Sequence, residues 1–171
     1  MSYNLTGAAF GGNITLSKAG LAAGTTTTYT IGNAFTYAIK GQLYSQAAAS
    51  NQASPLTDAN TGKAFIALPA GACCLFCFGI DPSGNMYVTQ SKPINIEYNN
   101  WTQTADLQGG NAALEMPRFA DSIAPFGYVL AQATSSLASP WTFGTSNLSG
   151  VTGLTLTFRD MIDYPAQPIT G

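Results

Sequence analysis

Histidine is absent from this 171-residue chain, and charge is scarce. Only 6 residues are Lys or Arg and 8 are Asp or Glu, so 8% of the chain is charged, where an ordinary soluble domain has roughly 25%. Without His, the usual general base, most nucleophile triads and the commonest zinc ligand are gone. The basic residues Lys18, Lys40, Lys63, Lys92, Arg118 and Arg159 are scattered, so no patch for nucleic acid is expected. No apolar run approaches the ~20 residues of a membrane span. The start, "MSYNLTGAAFGG", lacks the basic opening and apolar block of a signal peptide, which sets the expectation of a cytosolic product with reduced thiols.

What is present is apolar and hydroxyl-rich. Apolar residues make up 46% of the sequence, the opposite of a disordered composition. The polar remainder is Thr, Ser, Asn and Gln, which dock against protein without desolvating paired charges.

Punctuation favours strands. Residues 1–27, rich in Gly, Ala and Thr, read as an N-terminal arm with room for one short strand around "NITLS". "TYTIGNAFTYAIKGQLYSQ" (28–46) reads as one long or two short strands. Turn chemistry fills 49–63, followed by apolar strands "AFIALPAG" (64–71) and "ACCLFCFGI" (72–80). "DPSGN" (81–85) is a hairpin loop, "MYVTQ" its return strand, and "PINIEY" an edge strand because Pro93 lacks an amide donor. From 99 to 126 the pattern dissolves into a long contact loop, with "GNAALEM" (110–116) as the best short-helix candidate. Strand patterns return in "FGYVLAQAT" and "GLTLTFRD", before an extended tail, "YPAQPITG". The expectation is a single all-β domain, an antiparallel β-sandwich or barrel of jelly-roll type. Its parts are the arm (1–27), a first β block (28–98), the long loop (99–126), and a second β block with its tail (127–171).

All three cysteines fall in five positions of "GACCLFCFGID". On a strand, Cys73, Leu75 and Cys77 face one way and Cys74, Phe76 and Phe78 the other. Both faces are apolar, so the strand is expected in mid-sheet with its thiols as small core hydrophobes. Zinc lacks a fourth ligand and a tetrahedral spacing; neighbouring Cys73 and Cys74 diverge, and Cys73 and Cys77 lie too far apart to bond. A nucleophilic thiol would want a His or a helix N-terminus, and neither is on offer. No cofactor or metal site is expected.

Other chemical readings are weaker than their plain alternatives. Asp160 and Asp163 could form a carboxylate pair, but a solvated strand end is the simpler reading. "DANTG" (58–62) begins like a calcium loop, yet Pro69 stands where the bidentate Glu belongs. Trp101 and Trp141 could stack on sugars in a glycan-binding module, although core or interface roles are commoner for Trp. No enzyme can be assembled from these residues. The long loop carries Trp101, Leu107, Leu114, Met116 and Phe119, and the arm carries Tyr3, Leu5 and Phe10. These are the expected partner anchors, unless both segments fold back over their own sandwich.

From Ala124 to Pro168 the order of elements is a Pro-Phe-Gly-Tyr strand, "WTFG", Asn147, "GLTLT" and a Pro-x-x-Pro tail. This stretch resembles a group of small virion-associated proteins of tailed bacteriophages, and "TYAIKGQLY", "TDANTGKAF" and "DPSGN" extend the likeness over most of the chain. Gln167 stands where that group often has a basic residue. The resemblance implies a structural protein of the virion, made in the bacterial cytoplasm. Its best fit is a capsid decoration or cement protein binding the major capsid protein as a homo-oligomer, trimer or dimer. A tail or head-tail connector component is the alternative.

Overall fold

"ACCLFCFGI" has no polar side chain to turn toward water, and a strand that is apolar on both faces is stable only inside a sheet. A computed structural model describes residues 13–95, 114–120 and 122–163, and there Ala72–Ile80 is a nine-residue strand buried throughout. Before it come β1 (Ile14–Thr15), β2 (Leu21–Ala23), β3 (Thr28–Ile31), β4 (Phe35–Ile39), β5 (Gln42–Gln46) and β6 (Ala49–Ala53). The buried strand is β7, followed by β8 (Met86–Gln90), β9 (Ile94–Asn95), β10 (Ala124–Ala133) and β11 (Leu154–Asp160). A short 3-10 turn at Met161–Asp163 ends the described chain.

The strands form three antiparallel sheets, and the protein is all-β. The main sheet runs β11-β10-β7-β8, with β9 pairing the opposite end of β7; the smaller sheets are β1-β4-β5 and β2-β3-β6. These are open sheets packed as a sandwich, not a closed barrel. Phe76 and Phe78 of β7 and Phe126 and Val129 of β10 meet Tyr29, Ile31, Phe35 and Tyr37 from the small sheets in one core. Rings interlock across it: Phe35 lies 5.2 Å from Phe126, and Tyr29 meets Phe78 edge-on at 5.3 Å. Fully burying each such side chain is worth about 1.5–3 kcal/mol.

The hairpin loop forms as its residues dictate. Asp81 Oδ1 accepts from the amides of Ser83 (2.8 Å) and Asn85 (2.9 Å), and Gly84 takes φ 83°, which a side chain would resist.

Several expectations are corrected. β1 falls within "NITLS", where one short strand had room, but β2 is a second strand in the segment read as an arm. Gly20 N and Leu21 N donate to Asp160, which makes that carboxylate a buried tie rather than a solvated strand end. The 28–46 stretch makes three strands, and β6 lies in what read as turn chemistry. "AFIALPAG" is not a strand. Gln90 takes the ladder's place there: its side-chain amide accepts from Ile66 N and donates to Ile66 O, both at 2.8 Å. β10 starts at Ala124, inside the expected long loop, and residues 114–116 are not helical. The 110–113 part of that helix candidate, and the tail 164–171, lie outside the described residues.

Candidate partner-docking face

The two faces of β7 have different coverings. Cys74, Phe76, Phe78 and Ile80 belong to the sandwich core. Cys73, Leu75 and Cys77 point to the other side of the main sheet, yet they are only 2%, 9% and 1% exposed. On that outer face Tyr128 lies opposite Cys77 and Leu130 opposite Leu75 on β10, with Thr89 opposite Cys77 on β8.

The cover is irregular chain. Gly79 marks where it presses closest, because a Cβ there would collide with Ile123 Cγ2 and stand 2.7 Å from Phe119 Cε2. Asn60 Nδ2 holds the same segment by donating to Arg118 O at 2.8 Å. Residues 116–118 divide the outer face into two clefts. One, of ≈ 230 Å³, has Cys77, Phe119, Ile123 and Pro125 in its wall, with Asn13 and Met161 at its border. The other, of ≈ 470 Å³, lies between Ser91, Lys92 and Ile94 on one side and Glu115 to Arg118 on the other.

The placement of chain exits follows from this. Asn13, where the described chain begins, donates from Nδ2 to Ile123 O at 3.0 Å, and Thr15 Oγ1 donates to Pro125 O at 2.6 Å. Asn13 and Thr15 therefore sit beside the start of β10. Met161, three residues from Tyr164, borders the same cleft. Ile94 and Glu115, which flank residues 96–113, line the other. Asn13, Ile94, Glu115 and Met161 thus all border one face of the main sheet.

Of the expected anchors, Leu114, Met116 and Phe119 are half-buried on this face, with Phe119 packed over Gly79. Tyr3, Leu5, Phe10, Trp101 and Leu107 lie outside the described residues. Residue pattern did not point to Asn13, Pro125 or Met161 as neighbours of Cys77. No local signal could, since they come from both ends of the chain.

The chemical groups are committed elsewhere. Asp58 accepts from Asn60 N and Thr61 N, each at 2.9 Å, from Thr89 Oγ1 at 3.0 Å and from Gln90 N at 2.6 Å. Burial pushes its acidity down, but the donors outweigh it and hold the carboxyl below the usual aspartate range. Trp141 is 2% exposed, edge-on to Phe76, with Nε1 donating to Asn147 O, so its ring has no face to offer a sugar. Among the described residues no three His, Cys, Asp or Glu side chains converge on a metal position. No helix among them is long and apolar enough to cross a membrane.

Burial raises the Cys74 and Cys77 thiols to about 12, so almost no thiolate exists at neutral pH. Native protein is therefore expected to react with a thiol reagent only after denaturation, and to carry no stoichiometric zinc by elemental analysis. Rapid labelling of the folded protein would contradict the burial of these thiols.

No family model, no curated protein and no solved structure matches this chain. Function therefore rests on the geometry of this face and on residue chemistry.

Proposed function

We propose that this chain is a non-enzymatic structural protein of a bacteriophage particle. In this reading it is a capsid decoration protein that binds the major capsid protein through the outer face of the main sheet. The observation that carries it is that Asn13, Ile94, Glu115 and Met161 all line the clefts of one face. That face already holds half-buried Met116 and Phe119 between two clefts. Tyr3, Leu5, Phe10, Trp101 and Leu107, in the sequence flanking those border residues, are large side chains of the kind that anchor on a broad protein surface. Catalysis has no comparable support, because Asp58 and Asp160 are engaged by the protein's own amide donors. The resemblance to virion-associated phage proteins supports the same reading.

Deletion of residues 1–12 tests it. The truncated protein is expected to keep a near-native melting temperature, since strands β1–β11 and the aromatic core among the described residues are built without it. It is expected to be lost from purified particles, where the intact protein occupies the many equivalent positions of the shell. Truncated protein that unfolds, or that still decorates normally, would remove the arm as docking element. Density confined to a single ring at the tail would replace decoration with a connector role.

A further inference from the structure

Among the described residues, β5 is an edge of its sheet with no strand on its outer side. In the order β1-β4-β5, β1 is tied to β10 through Thr15 and Pro125, whereas the outer edge of β5 meets no strand among the described residues. The edge of β8, by contrast, is closed by residues 58–63, with Ala59 N donating to Val88 O and Gln90 N to Asp58. Natural edges carry charge, proline or a bulge against strand pairing. Gln42–Gln46 has none of these, its register with β4 is unbroken, and Leu43 is 68% exposed.

The pairing pattern of β5 specifies its partner. Lys40 (φ 50°) and Gly41 (φ 82°) make a two-residue turn with both dihedrals positive. Ile39 and Gln42 then form the hydrogen-bonded pair closing the hairpin, and bonding alternates from there. Gln42, Tyr44 and Gln46 bond to β4, leaving the amide and carbonyl of Leu43 and Ser45 pointing off the edge.

We propose that β5 pairs antiparallel with β5 of a second copy of this chain, about a twofold axis at Tyr44. The outward groups of Leu43 then meet those of Ser45 in the other copy, and the reverse, which completes four backbone hydrogen bonds. Gln42 faces Gln46, where side-chain amides can pair. Lys40 falls opposite Ala48, so no like charges meet. This isologous match closes on itself and gives a dimer rather than a fibre. The inference does not depend on the docking face, which lies on the main sheet.

Sedimentation analysis of the full chain across a concentration series is expected to show a monomer–dimer equilibrium. Leu43→Lys, at an exposed position, is expected to abolish the dimer while leaving the melting temperature nearly unchanged. Tyr44→Cys places two thiols across the axis, and mild oxidation is expected to give a disulfide-linked dimer, the native cysteines being buried. Ser50→Cys, exposed on β6, is expected not to cross-link. A monomer at every concentration overturns the proposal. So does a Leu43→Lys dimer as strong as the parent, or a Tyr44→Cys protein that does not cross-link, and the latter reading stands even if Leu43→Lys misfolds.

Discussion

Cys74→Asp is expected to leave no soluble folded protein, while Cys74→Ala folds and melts only slightly lower. Cys74 has no solvent exposure and sits in the core on β7, opposite Ala131 of β10. The nearest polar donor is Gln90 Nε2, 3.6 Å from Sγ, and it already donates to Ile66 O. A carboxylate there would be buried without adequate donors, at a cost of several kcal/mol. Domain stabilities of about 5–15 kcal/mol cannot absorb such a loss together with the disturbed packing. Alanine removes one sulfur atom and leaves a small void, a loss of about 1 kcal/mol. Soluble yield and thermal melting check both variants, and equal melting temperatures would refute a dry core at this position.

The second large effect is expected at Asp58. Asp58→Ala leaves Gln90 N, Thr89 Oγ1 and the amides of Asn60 and Thr61 without their acceptor, in a position only 6% exposed. Each unsatisfied donor costs about 1–3 kcal/mol, less where water enters the loop, so a total near 3 kcal/mol is expected. The same carboxylate makes stability depend on pH. Its folded-state affinity for protons is held below that of the unfolded chain. The stabilisation is therefore fully present above the unfolded value, roughly pH 4, and is lost as pH falls through the lower folded value. Asp81, lowered by its bonds to Asn85, Tyr87 and Ser83 despite some burial, adds in the same direction. Urea midpoints measured from neutral pH into acid are expected to fall in this window. In Asp58→Asn, which keeps one acceptor oxygen but does not titrate, the starting midpoint should be lower and the acid decline shallower. An unchanged acid decline would show that Asp58 does not carry it.

Residue order alone determined the all-β class and the position of β7. Its two apolar faces demand cover on both sides whatever the tertiary arrangement, and all nine residues are buried. The same holds for the 81–85 hairpin, whose Asp, Pro and Gly act within five residues, and for β8, β10 and β11, whose patterns are local. Where the decisive partner was distant, the sequence was silent. β2 is a strand in weak "LAA" because β3 pairs with it and Asp160 accepts from the amides of Gly20 and Leu21 at its start, 140 and 139 positions away. "AFIALPAG" has strand composition but no ladder, because one glutamine side chain satisfies Ile66 instead. Trp141 is in the core rather than at a surface for the same kind of reason, its ring enclosed by Phe76 and Phe143. Met116 and Phe119 could be named from composition, but their place beside Cys77 and Gly79 required the tertiary structure. Asn13, Ile123 and Met161 are neighbours only because β10 brings the end of the long loop back beside both ends of the described chain. Local periodicity specifies which residues must be buried, whereas long-range pairing decides what they are buried against and which edges remain open.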